Sequence, residues 1–217
     1  MEQYETLDPD RVVLIWVTSG IEDFFLSFRM TEKIGYSRYD PFINSMGLEK
    51  VCKGYLLANK RSEYEGLGDT QAKKKVNKLA KSMGHKIATL VEEISKNIGL
   101  NKAQSLLDKK YSGFTGSDLL KAIRAAYIEC RYPLAPNPFY KRFPLAVLRG
   151  FYEDPVYSSG LHQFVYEFCR LILSDLKSRF GIRIPKSWLN EKISGDEGQR
   201  FENLFFGSRK QDFISDN

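Results

Sequence analysis

The chain has 217 residues, 42% of them hydrophobic and 28% charged, with a formal net charge of +6. That balance belongs to a folded globular protein and excludes disordered, collagen-like and disulfide-scaffold classes. No apolar run approaches the roughly 20 residues of a membrane span, and Met1-Glu2-Gln3-Tyr4-Glu5 lacks the basic and apolar regions of a secretory signal, so a cytoplasmic protein with no membrane contact is expected.

Apolar residues recur at three-and-four spacing, and no sustained two-residue alternation appears, which predicts an all-α fold. The first helix covers residues 9–30, with Leu14, Val17, Ile21, Phe24, Phe25 and Phe28 on one face and Asp8 or Asp10 as N-cap. A polar link, Gly35 to Pro41, leads to a second helix in which Leu48, Val51, Cys52, Tyr55 and Leu56 share a face. Gly66 and Gly68 mark a loop. Beyond it Val76, Leu79, Ala80, Met83, Ile87, Leu90, Val91 and Ile94 hold one helical phase across Gly84. If that helix is continuous, Lys74, Lys78, Lys81 and His85 lie opposite the apolar stripe; if Gly84 breaks it, His85 opens a new helix.

Asn101 is expected to cap a short helix through Leu107, and Tyr111 to Phe114 to form a loop before a Thr115-x-x-Asp118 capping box. The next helix carries Leu119, Ile123, Ala126 and Cys130 and stops near Tyr132, because Pro133, Pro136 and Pro138 follow. Residues 132–159 read as a long connection rich in proline and aromatic residues, among them Phe139, Tyr140, Phe143, Phe151 and Tyr152. Leu161, Phe164, Val165, Phe168, Ile172 and Leu176 then define a helix ended by Gly181, with a short helix after Pro185. The expected architecture is an up-and-down bundle of about five principal helices over 1–180. A C-terminal extension over 181–217 docks partly through Phe201, Leu204, Phe205 and Phe206 and frays over its last ten residues.

Residues 60–110 carry twelve Lys and Arg against six Asp and Glu, which accounts for the whole net charge. Such a local basic surface attracts polyanions, although a solvated lysine face is the commoner use of this pattern. Cys52, Cys130 and Cys169 lack metal or disulfide spacing, and two histidines cannot build a histidine-rich metal site, so neither metal nor cofactor is expected. His162 and Cys169 are about 10 Å apart along one helix, too far for direct proton transfer. Dinucleotide, phosphate-loop, hydrolase-elbow and zincin motifs do not occur.

Three blocks carry a family resemblance: Leu48-Glu49-Lys50-Val51-Cys52-Lys53-Gly54-Tyr55-Leu56-Leu57-Ala58, Gly84-His85-Lys86-Ile87-Ala88-Thr89-Leu90, and Leu120 through Tyr127-Ile128-Glu129-Cys130-Arg131-Tyr132-Pro133. In this order they resemble the HEPN domain family, over roughly residues 42–133. The resemblance implies a helical bundle, commonly a homodimer, that binds RNA or nucleotide. It also permits a non-catalytic adaptor paired with a nucleotidyltransferase-type protein, or a metal-independent ribonuclease of toxin or defence type. Ribonuclease members use an Arg and a His four to six residues apart. Here the residue six beyond Arg131 is Asn137, which is neither acid nor base near neutral pH, and no histidine lies in the window. The catalytic candidates are therefore Arg131, Asn137 and His85, and the ligand-binding candidates Lys74, Lys78, Lys81, His85, Lys53 and Arg131. Binding through the basic face is favoured over catalysis.

Overall fold

The computed structural model describes residues 7–35, 40–131 and 155–216. The fold is all-α, with only two-residue strands. Helix α1 (Pro9–Ile34) starts at Asp8, whose carboxylate accepts the Asp10 N–H, with Pro9 in the first turn. Helix α2 (Asp40–Asn59) returns antiparallel to it. Gly20, which weakens α1 as a helix by propensity, sits at the crossing: a Cβ there would lie 2.6 Å from the Gly47 carbonyl oxygen and 2.7 Å from Val51 Cγ2. Only hydrogen on both helices permits this approach.

Helix α2 occupies the middle of the bundle and is buried nearly all round, through Leu48, Val51, Cys52, Tyr55, Leu56, Leu57 and Ala58. A helix surrounded in this way must also bury its polar residues, and Asp40, Asn44, Ser45, Glu49 and Lys53 are all buried.

Gly84 breaks the run between Val76 and Ile94. It adopts φ +66°, so α3 (Asp69–Ser82) ends before it and α4 (Ile87–Ile98) begins after His85 and Lys86. The single helical phase therefore belongs to two helices joined by a left-handed corner. Helix α5 (Leu100–Asp108) begins directly after Gly99, which places Asn101 inside its first turn rather than at the cap. The expected loop at 111–114 is a hairpin of β1 (Lys110–Tyr111) and β2 (Phe114–Thr115), turned by Ser112 and Gly113 at φ 51° and 96°. Positive φ at both central residues is what a type I′ two-residue hairpin turn requires. The capping box forms at the start of α6 (Gly116–Arg131), where the Thr115 hydroxyl accepts the Asp118 N–H at 3.2 Å.

Helix α7 (Pro155–Phe180) starts earlier than the apolar pattern indicated, because its first turn precedes Leu161, the first residue of the stripe. It runs parallel to α2: Asp40 meets Ser158 and His162 at one end, and Tyr55 and Asn59 meet Asp175 and Arg179 at the other. The Tyr55 hydroxyl donates to Asp175 at 2.7 Å, and burial together with that bond pushes its pKa up to about 12.

The C-terminal segment completes the core. Strand β3 (Ile184–Pro185) leads to α8 (Lys186–Lys192) and α9 (Gly195–Phe206), then to a 3₁₀ turn (Gly207–Arg209), α10 (Lys210–Phe213) and β4 (Ile214–Ser215). Phe201 and Phe205 pack on Phe25 and Tyr166, each at 5.2 Å between ring centroids. Leu204, expected to dock with them, points outward at 57% exposure, since it lies off the buried α9 face. The tail does not fray before Asp216. Phe213 is buried, and β4 pairs in parallel with β3. The buried Phe213, the β3–β4 pairing and the ion pairs Lys177–Asp212 and Lys210–Glu202 hold a segment too short and polar to show periodicity.

Candidate functional site

Three groups of side chains bear on function. The first is the outer face of α3, where Lys74, Lys78 and Lys81 fall at i, i+4 and i+7 and are exposed. None of the three forms an ion pair among the described residues. The helix's other lysines differ, since Lys73 pairs with Asp69 at 2.7 Å and Lys75 with Glu63 at 2.9 Å. The charges of this helix are therefore neutralised on its flanks and left open along one line.

The second group contains two sequence candidates, Lys53 and His85, and joins them through a residue not singled out, Glu49. Glu49 Oε1 takes the Lys53 ammonium at 3.0 Å and His85 Nδ1 at 2.8 Å. Lys53 is 3% exposed, with its ammonium 5.9 Å from the Trp16 ring centroid. A lysine so enclosed fixes α2 against α1 and is not presented to a polyanion in solvent. His85 is largely exposed and follows the Gly84 corner, so it does not continue the α3 lysine line.

The third group was not anticipated as a site. Asp40, at the first turn of α2, is almost fully buried and accepts hydrogen bonds from four side chains. His162 Nε2 lies 3.0 Å from Oδ1, Asn44 Nδ2 3.1 Å from Oδ1, and Ser158 Oγ 2.6 Å from Oδ2, while the Ser27 hydroxyl also bonds Oδ1. Burial opposes ionisation of Asp40, but the charge of His162 and the hydrogen bonds from His162, Ser158 and Ser27 outweigh it and hold the carboxyl below its ordinary pKa. A carboxylate can only accept, so Nε2 of His162 carries the proton in this bond. The imidazole also stacks parallel to Tyr166 at 5.6 Å, with 2° between the planes. Beside it opens a cavity of about 360 Å³ between α1, α7 and the end of α9, with Phe28, Ser159, His162, Gln163, Arg170 and Leu204 on its wall.

The signal for this third group was present as polar residues on apolar phases. Ser27 lies between Phe24 and Phe28, and Asn44 is one turn before Leu48 on the buried side of α2. The pairing of Asp40 with His162, 122 residues later, has no local trace. Arg131 is the last residue of α6; its side chain, that of Cys130, and Asn137 with the aromatic connection around it lie outside the described residues. Cys52 and Cys169 are fully buried free thiols whose pKa values burial pushes up, so neither is a ready nucleophile. Among the described residues no cluster of three or more His, Cys, Asp or Glu is placed to hold a metal ion, and no helix is long and apolar enough to cross a membrane. Neither a family model nor a curated protein nor a solved structure matches the chain.

Proposed function

We propose that this chain is a HEPN-like helical bundle that binds RNA or nucleotide phosphate through the outer face of α3. One observation carries the reading: Lys74, Lys78 and Lys81 form an exposed line without counter-charges, on a helix whose other lysines are paired. Three ammonium groups over two helical turns give a contact line about 10 Å long, enough to follow a few consecutive phosphates. The family resemblance of the blocks around Glu49, His85 and Arg131 supplies the ligand class. The reading is of a binding protein and needs no cleavage step.

The test is fluorescence anisotropy of a labelled single-stranded RNA over a range of salt, with the parent protein and the triple variant Lys74→Glu, Lys78→Glu and Lys81→Glu. Three lost phosphate contacts should lower the slope of log K against log salt by about 2, at roughly 0.7 per contact for single strands. Affinity should fall by orders of magnitude while the circular dichroism spectrum stays unchanged, because all three side chains are exposed. Equal affinity and equal slope in the two proteins would overturn the proposal.

A further inference from the structure

We propose that the cavity beside His162 is a ligand site separate from the α3 lysine face, and that it takes a small uncharged molecule bearing hydroxyl groups, one of which donates to Nδ1 of His162. The histidine is built for this. Its Nε2–H is committed to Asp40, whose carboxylate is oriented in turn by Ser27, Ser158 and Asn44. That bond fixes the tautomer and leaves the Nδ1 lone pair unused, and Nδ1 has no hydrogen-bond partner among the described residues. Stacking on Tyr166 holds the ring plane, and the side chain stays 12% exposed, on the cavity side. An imidazole oriented by a buried carboxylate, with its second nitrogen unbonded and its ring on a cavity wall, is an arrangement by which proteins accept or polarise a hydroxyl proton.

The charges around the cavity specify an uncharged ligand. Glu32 is paired with Arg200, Glu167 accepts from Lys109 at 2.7 Å and from the Tyr111 hydroxyl at 3.1 Å, and Arg170 donates to the carbonyls of Leu204 and Phe205. Arg170 also lies 3.9 Å from Glu167, so each charged side chain on the wall already has an ionic partner within the protein. Among the described residues, the unpartnered functions on the wall are neutral: Nδ1 of His162 and the hydroxyls of Thr31 and Tyr166, beside Ser159 and Gln163, which bond each other at 3.4 Å, and the apolar side chains of Phe28 and Leu204. The volume of about 360 Å³ lies within the range of small-molecule sites. A sugar or cyclic polyol offers hydroxyls to the first set and C–H faces to the second.

The experiment records the imidazole nitrogen resonances of ¹⁵N-labelled protein during titration with D-glucose, D-ribose and myo-inositol, with inorganic phosphate and putrescine as charged controls. At least one of the three neutral compounds should shift Nδ1 of His162 saturably, with His85 unmoved and with neither control reproducing the shift. The His162→Gln variant should lose binding. Because that change also touches the Asp40 cluster, Leu204→Trp is the second variant: residue 204 is exposed at the cavity rim, so the fold is retained while the indole fills the opening. Loss of the Nδ1 shift in Leu204→Trp places the ligand in the cavity. No saturable shift with any of the three neutral compounds, a shift from phosphate or putrescine alone, or a shift that persists in Leu204→Trp would overturn the proposal.

Discussion

Replacing Asp40 separates its two roles as charge and as hydrogen-bond hub. In Asp40→Ala, His162 Nε2–H loses its acceptor, whereas Asn44 keeps Ser27 Oγ at 2.7 Å and the residue-40 carbonyl at 2.9 Å, and the Ser27 and Ser158 hydroxyls can turn elsewhere. Deleting a buried charged acceptor and stranding its donor costs about 1.5–3 kcal/mol, and the Asp40→Ala loss should fall in that range. Asp40→Asn keeps the shape: its oxygen can still accept from His162 and Asn44, and its amide can donate to Ser158. Its cost should be about 1–2 kcal/mol. The two variants also differ from the parent in acid. The folded-state pKa of Asp40 is depressed, so as pH falls the unfolded chain takes up this proton first; the contribution is complete above about pH 4 and disappears as pH drops through the folded value. Urea unfolding followed by tryptophan fluorescence, from about pH 3 to about pH 7, should show a shallower acid limb in both variants than in the parent. A loss below about 1 kcal/mol in Asp40→Ala, or an unchanged acid limb in Asp40→Asn, would refute the assignment of Asp40 as a buried ionised hub.

Gly20→Ala and Gly47→Ala should each destabilise the protein, although alanine is favoured over glycine by about 1 kcal/mol in an open helix, because the new Cβ would meet the facing helix at 2.5–2.8 Å; a rise in urea midpoint for either would contradict the close crossing. Glu49→Gln strands the buried Lys53 ammonium and should cost about 3–5 kcal/mol, with most of it recovered in Glu49→Gln/Lys53→Met; chemical denaturation of the two single variants and the double variant measures the coupling, and additive losses would count against a buried pair. Phe213→Ala should cost about 3–5 kcal/mol and speed proteolysis after residue 206, since it removes the aromatic anchor of the tail; parent-like resistance to limited proteolysis would argue against a docked tail.

Periodicity was enough to find α1, α2, α6 and α7, because each sets a continuous apolar face against the core. It could not divide α3 from α4, since Val76 and Ile94 stay in one phase across Gly84 and only the positive φ of that glycine turns the chain. The consequence for the basic face is direct: the three lysines keep their line and His85 leaves it. Residues 110–115 and 207–216 were missed as structure because two-residue strands are held by backbone pairing and carry no repeating pattern. Glu49 escaped notice because it reads as an ordinary helix-surface acid until α2 is seen to be enclosed on all sides. The Asp40 and His162 pairing is purely tertiary, and the sequence offers only its residue of oddity, a serine and an asparagine on faces otherwise apolar.

The position of the aromatic residues along the chain sets an order on biosynthesis. Phe24 and Phe25 in α1 are covered by Phe205 and Phe201, near the opposite end of the described chain, and Phe206 is covered in turn by Phe213. While the chain emerges from the ribosome, α1 and α2 can pair through their glycine crossing, yet that hairpin must wait with one aromatic flank bare until residues 201–213 have been made. Until residues 201–213 are present, Phe24 and Phe25 lack these covering rings, and an incomplete bundle with exposed aromatic surface is the kind of species that aggregates.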